Sequence, residues 1–223
     1  MHQLKKQQLP VINHLGLEQF ISENTSHRVH NLSVGGHNNS VQVKRICEVT
    51  QTDNIDKIIW FQTDPLRDCK NLQSPKEFWD DKQTLKEFVQ CQKTYLESSY
   101  HSLNQLGIPV YCIGGCFPLD LQLISNYSNL IPLIPSLVSF LCPQESSLPI
   151  SSLCISWTTT HVPTVDCQLV DFLTYEFKLL DDWLLLCNNQ LTSAFKYFVP
   201  DCKHPNRLGH EQIFNLLIDQ QII

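Results

Sequence analysis

Four short apolar runs, each followed by turn residues, are the most regular feature of the hydrophobic pattern. Compact runs of this length, rich in β-branched and aromatic residues, are typical of strands that are covered on both faces of a sheet. We therefore predict four strands, at Val29–Val34, Lys57–Thr63, Ile108–Ile113 and Leu153–Trp157.

Helical periodicity fills the intervals between these runs. From Gln83 to Leu106, apolar residues recur at spacings of three, four and seven, and Gly107 marks the end of the predicted helix. Further helices are predicted over Val170–Cys187 and Arg207–Ile218. Strands that alternate with helices predict an α/β fold of three layers, α/β/α, with a parallel sheet. In such a sheet, functional residues gather at the carboxyl ends of the strands.

The size and charge of the chain narrow the class of protein. Its 223 residues suit one domain spanning 1–223, and 22 acidic against 16 basic residues give a net charge of −6. We therefore predict no nucleic-acid partner, because phosphate binding normally requires a basic face. The apolar stretch Leu130–Leu141 is too short to cross a bilayer, and the N-terminus has no signal-peptide core. We expect a cytoplasmic protein without a membrane partner.

The distribution of the cysteines and one long apolar segment give two further predictions. The ten cysteines are spread evenly and lie mostly in apolar runs, which favours buried, reduced thiols over disulfides or zinc ligands. We predict no metal and no cofactor.

The segment Leu119–Ser152 is hydrophobic and punctuated by prolines. We interpret it as irregular core, while a lid or a partner surface stays open.

An acidic residue and a histidine stand close together before the last predicted helix. Asp201 and His204 lie three positions apart, in the stretch PDCKHPNRLGHEQI. In a Ser-His-Asp site the carboxylate holds the imidazole so that it can take a proton from the nucleophile. A bare Asp-x-x-His is more often a surface acid beside an unrelated histidine, so the context has to decide.

That stretch resembles the last conserved block of the SGNH (GDSL-type) hydrolases, where an Asp and a His precede the C-terminal helix. The stretch VHNLSVGGHNNSVQVKRI is similar to the second block of the family, a strand, a glycine and then a helix. The resemblance implies a flavodoxin-like SGNH fold with His204 as general base and Asp201 as its orienting partner. It also implies an oxyanion hole formed by the backbone of Gly36 with Asn39 or Thr63.

The chain departs from the family pattern at two places. No Gly-Asp-Ser block precedes Val29, so the nucleophile is not identified, and Ser33 and Ser40 lie on the wrong predicted elements. We therefore expect the first strand to be absent and the chain to be truncated upstream. Thr63 stands where the third block usually has Asn, and a hydroxyl donates only one hydrogen bond. Nearby, Arg67 is expected to pair with Asp64 or Asp68, while binding of an acidic group of the substrate stays open.

Three functions follow from these observations. The resemblance implies a serine ester hydrolase acting on small-molecule, carbohydrate or lipid esters. The missing nucleophile and Thr63 leave open a catalytically inactive binding or interaction protein. A metal hydrolase using His37, His204 and His210 is disfavoured, because a spacing of six does not place His204 and His210 on one helical face.

Overall fold

The computed structural model describes residues 16–33, 37–63, 82–115, 119–141, 197 and 205–223. The helices within these residues are α1 (Leu17–Asn24), α2 (Asn39–Thr52), α3 (Lys82–Asn104), α4 (Leu121–Ile124), α5 (Leu137–Leu141) and α6 (Arg207–Asp219). The strands are β1 (Ile58–Gln62), β2 (Val110–Gly114) and β3 (Leu130–Ile134).

The three described strands form a parallel sheet in the order β1-β2-β3. Trp60 of β1 pairs with Cys112 of β2, which in turn pairs with Pro132 of β3. Because all three strands run in one direction, they end at the same side of the sheet. We call this side the carboxyl edge; it is formed by Thr63, Gly115 and Pro135, the residues that directly follow the strands.

Helices pack on both faces of the sheet and enclose two separate cores. The α2–α3 core contains Trp60, Tyr100 and Cys112, together with residues of α2 and of β2. The α1–α6 core lies on the other face and is built around Ile113, Ile134 and Leu217. Neighbouring residues of β2 thus enter opposite cores, as the alternation of side chains along a strand requires. The predicted α/β class with a parallel sheet is therefore correct.

Several predicted elements are confirmed nearly to the residue. The run Lys57–Thr63 contains β1, and the run Ile108–Ile113 contains all of β2 except Gly114. The helices predicted at Gln83–Leu106 and Arg207–Ile218 are α3 and α6. Gly107 ends the α3 region with a φ of 68°, in the left-handed region that glycine adopts at low cost.

The strand predicted at Val29–Val34 is not formed at residues 29–33, and Val34 lies outside the described residues. Asn31 gives a physical reason: its Oδ1 accepts a hydrogen bond from the backbone N–H of Ser33 at 2.9 Å. Its amide nitrogen also donates to Glu18 Oε2 at 2.6 Å. Such local side-chain bonds compete with a strand ladder. Val29 and Leu32 still pack against different cores, so the apolar alternation serves burial without pairing.

Strand β3 was not predicted, because it lies within the segment interpreted as irregular core. Pro132 sits inside it and cannot donate a ladder hydrogen bond. The sheet accommodates this with an irregular register, in which Cys112 pairs with Pro132 but Ile113 pairs with Ile134. The predicted strand Leu153–Trp157 and helix Val170–Cys187 lie outside the described residues.

Helix α6 runs opposite to the strands. Near its end, the carbonyl of Ile222 accepts a hydrogen bond at 2.5 Å from Lys57, the residue that precedes β1. Near its start, a Cβ built on Gly209 would lie 3.5 Å from Leu141 of α5, the helix that follows β3. Helix α6 therefore begins on the side of the carboxyl edge and ends on the opposite side.

Candidate functional site

Asn39 and Thr63 are joined by two hydrogen bonds at the carboxyl edge. The backbone N–H of Thr63 donates to Asn39 Oδ1 at 2.8 Å, and Asn39 Nδ2 donates to the carbonyl of Thr63 at 3.1 Å. Asn39 opens α2, whereas Thr63 is the residue after β1. The structure thus brings together two of the predicted site residues, which are 24 positions apart in sequence.

Gln62, the residue before Thr63, is held by helix α3, which packs on the same face of the sheet as α2. Gln62, the last residue of β1, points to the α2–α3 side and is 1% exposed. Its Oε1 accepts a hydrogen bond at 2.6 Å from the hydroxyl of Tyr100 on α3. Burial raises the pKa of Tyr100 well above its ordinary value, so the phenol remains a donor. The end of β1 is therefore fixed by α2 and by α3.

At the ends of β2 and β3, backbone groups of the carboxyl edge are engaged in hydrogen bonds with other parts of the backbone. The carbonyl of Gly115 accepts a hydrogen bond from Leu137 N at 3.1 Å, and the carbonyl of Pro135 accepts one from Leu119 N at 2.8 Å. A Cβ on Gly115 would lie only 2.8 Å from the carbonyl oxygen of Gln62, so glycine is required for this approach. By contrast, Thr63 is partly exposed.

The N-terminus of α6, which lies on the side of the carboxyl edge, is fixed by contacts with Tyr197. Asn206 caps the helix by accepting a hydrogen bond from Gly209 N at 3.1 Å, and its own N–H donates to the carbonyl of Tyr197 at 2.7 Å. Gly209 approaches Tyr197 so closely that a Cβ would lie 2.5 Å from its carbonyl oxygen. Asn206 is therefore explained by its role as helix cap, and Gly209 by its close approach to the backbone of Tyr197. Helix geometry alone accounts for these two residues of the sequence PNRLGH.

The remaining predicted site residues, Gly36, Asp201 and His204, lie outside the described residues, as do Arg67 and the segment around it. Their assigned roles stay predictions. The two serines considered as nucleophiles are both exposed: Ser40 lies in α2, as predicted, whereas Ser33 lies in an irregular segment.

Cys47 and Cys112 are both free thiols, as the sequence predicted for them. Cys112 is fully buried in β2, and burial raises the pKa of its thiol to about 12. Cys47 on α2 also has a raised pKa, again mainly because of burial. Because the thiolate is the reactive form, neither residue has the properties of an activated nucleophile.

The Gln62–Tyr100 bond was missed by sequence analysis. One signal was present: in the run IIWFQ, Gln62 is the polar member of the set that alternation places on one face with Ile58 and Trp60. A polar side chain on the covered face of an apolar strand requires a partner. Nothing in the sequence indicates that this partner is Tyr100, which lies 38 residues away.

Comparisons with known proteins do not assign the chain to a family. No protein-family model, no curated protein and no solved structure matches it. Among the described helices none has the length and apolarity needed to cross a membrane. In the same part of the chain, His, Cys, Asp and Glu side chains form no group of three or more that could hold a metal ion.

Proposed function

We propose that this protein is an ester hydrolase of the SGNH type, acting on small-molecule, carbohydrate or lipid esters at the carboxyl edge of its sheet. One observation carries the proposal: α6 begins on the same side of the sheet as the Asn39–Thr63 pair. The Asp-x-x-His sequence that resembles the family's last block stands directly before this helix. Parallel α/β sheets bind their ligands at this edge.

In the proposed mechanism, His204 acts as general base and Asp201 holds its imidazole in the productive orientation. The backbone N–H of Gly36, together with the residue following β1, would stabilise the negative charge that develops on the ester oxygen. Thr63 suits this position because it is partly exposed at the end of a strand that two helices hold in place. The nucleophile is unassigned, so the decisive experiment has to find it.

A second candidate function is a ligand-binding protein that retains the fold and does not hydrolyse esters. The burial of Asn39 favours it, because this side chain is 0% exposed and both ends of its amide bond to Thr63. An amide used in this way does not face a substrate. If Asn39 is withheld from the substrate, the edge has fewer donors for an oxyanion than the resemblance implies.

A fluorophosphonate probe tests both candidates, because it forms a covalent bond with an activated serine whichever serine that is. The purified chain is labelled at pH 8, digested and analysed by mass spectrometry, and hydrolysis of p-nitrophenyl acetate is measured in parallel. The hydrolase predicts one labelled serine and a catalytic rate that falls at least about 100-fold in His204→Ala. His27→Ala is the matched control, because His27 is exposed in the segment after α1.

The outcomes separate the candidates clearly. Labelling of one serine that requires His204 supports the hydrolase, whereas equal rates in wild type and His204→Ala exclude His204 as the base. A chain that is neither labelled nor active, yet unfolds at a higher temperature in the presence of a short-chain carboxylate such as hexanoate, supports the binding protein.

A further inference from the structure

The contacts of Asn39 assign it a role different from the oxyanion donor that the resemblance implies. We propose that Asn39 is a positioning residue, which fixes the backbone of Thr63 from behind and does not contact the substrate. The inference rests on the proposed function only in so far as Thr63 belongs to the site. The bond pattern, the burial and the anchoring of the neighbouring residue each support it.

The bond pattern is that of a strand neighbour. Within a single residue, Thr63 donates its N–H to Asn39 Oδ1 at 2.8 Å and accepts from Asn39 Nδ2 at 3.1 Å. In an antiparallel ladder, the two residues of a hydrogen-bonded pair exchange the same two bonds. The amide of Asn39 therefore continues the hydrogen bonding of β1 by one residue beyond the last residue that β2 pairs, which is Gln62. Two bonds fix both the place and the orientation of the Thr63 backbone.

Burial separates the two residues into different roles. A group that stabilises an oxyanion has to lie within about 2.7–3.1 Å of the reacting oxygen, and therefore has to face the cleft. Asn39 is 0% exposed, whereas Thr63 is partly exposed. Thr63 can meet a substrate, and Asn39 supports it from the protein interior.

The neighbouring residue is anchored as well, which makes the position of Thr63 well defined. Gln62 is bonded to Tyr100 of α3, while Asn39 belongs to α2. Helices α2 and α3, which pack on the same face of the sheet, thus hold successive residues at the end of β1. Displacing a catalytic group by about 1 Å can reduce the rate by about 100-fold, so a residue that only positions another can still control turnover.

A second asparagine link provides a matched control at the opposite side of the sheet. Asn104, the last residue of α3, accepts from Asn129 N at 3.0 Å, and Asn129 Nδ2 donates to the carbonyl of Asn104 at 2.8 Å. Asn129 directly precedes β3, so this link lies at the amino ends of the strands. Asn104→Ala combined with Asn129→Ala removes two bonds of the same kind, as Asn39→Ala does.

The test measures hydrogen exchange of the Thr63 amide by NMR in wild type, Asn39→Ala and the double control. Global stability is measured for each protein by urea unfolding, so that local and global opening are separated. We expect exchange at Thr63 to accelerate by about tenfold or more in Asn39→Ala beyond the change in global stability. The control should show no such local effect. Unchanged protection of Thr63 in Asn39→Ala would overturn the proposal, whether or not the protein hydrolyses esters.

Turnover supplies the functional half of the test. If the wild type hydrolyses p-nitrophenyl acetate, we expect Asn39→Ala to lower kcat by about 100-fold with little change in KM, and the double control to leave both unchanged. A fall in kcat with Thr63 still protected would point to direct contact with the substrate and overturn the proposal. Loss of protection with full kcat would overturn it too. An inactive wild type refutes the proposed function, and the exchange measurement then decides the positioning role alone.

Discussion

Replacing Asn39 by aspartate keeps the shape of the side chain and changes one hydrogen-bonding atom. The oxygen that accepts from Thr63 N remains, but the nitrogen that donates to the carbonyl of Thr63 at 3.1 Å becomes a second oxygen. In an ionised carboxylate, the new oxygen would therefore face the carbonyl oxygen of Thr63, and neither atom could donate a hydrogen bond. A protonated carboxyl has an O–H and restores both bonds. We therefore expect Asn39→Asp to make the stability of the protein strongly dependent on pH.

The magnitude follows from the burial of the position. A carbonyl that loses its donor in a part-buried bond costs about 1 kcal/mol, and an ionised carboxylate at a 0% exposed position loses its hydration as well. Both effects favour the protonated form, so the pKa of the new carboxyl is raised in the folded state. Its stabilising contribution is complete below about pH 4, the ordinary carboxyl range, and is lost as pH rises through the raised value. We expect a deficit of about 3 kcal/mol at pH 7, which lowers Tm by about 6–12 °C in a domain of this size.

The assay is thermal and urea unfolding followed by circular dichroism between pH 4 and pH 8. Asn38→Asp is the matched control, because the neighbouring Asn38 caps α2 by accepting from Val41 N at 3.0 Å. Asn38 is also buried, with 7% exposed, but a carboxylate at this position would keep the bond from Val41 N. Because a negative charge is favourable at a helix N-terminus, the pKa of that carboxyl should fall below its ordinary range. Its contribution should be present above about pH 4 and lost as pH falls. Two adjacent substitutions are thus expected to give opposite pH dependences.

A specific result would refute this reasoning. If the stability of Asn39→Asp follows that of the wild type to within about 0.5 kcal/mol from pH 4 to pH 8, the amide of Asn39 does not donate to the carbonyl of Thr63. The positioning role would then lose its physical basis.

Two further predictions concern the α2–α3 core. Tyr100→Phe removes the donor to Gln62 and should lower the free energy of unfolding in urea at pH 7 by about 1–3 kcal/mol. Tyr127→Phe is the control, because the hydroxyl of Tyr127 makes an exposed hydrogen bond of 3.4 Å. Equal stability of both variants would contradict the prediction. The thiol of Cys112, whose pKa burial raises to about 12, should not react with Ellman's reagent at pH 8 in the native protein and should react once urea unfolds the chain. Peptide mass spectrometry identifies the modified cysteine, and rapid modification of native Cys112 would show that the strand is accessible.

Local pattern was sufficient for the elements with strong and complete signals. Strands β1 and β2 are short apolar runs with turn residues after them, and α3 repeats its apolar residues over many turns before Gly107. These features depend on the neighbouring residues of the chain alone, so the sequence contains all that is needed. The α/β class with a parallel sheet followed from the same local elements, since strands that alternate with helices have few ways to pack.

Where the hydrophobic pattern gave a wrong prediction, the outcome depended on whether the segment pairs with a neighbouring strand. Val29 and Leu32 alternate as in a strand, but the Asn31 side chain bonds to Ser33 and no ladder forms at residues 29–33. Conversely, β3 lies in a segment that was interpreted as irregular core, and it forms because β2 offers a partner whose register shifts beside Pro132. Whether a segment becomes a strand depends on a partner that is distant in sequence.

The candidate site shows the same division. The sequence singled out Asn39 and Thr63 by a family resemblance, whereas the role of Gln62 was not predicted. Only the packing of α2 and α3 against β1 determined that Asn39 bonds to the backbone of Thr63 and that Tyr100 bonds to Gln62. The physical reason is that a buried amide must find hydrogen-bond partners, while the identity of those partners depends on which helices cover the strand.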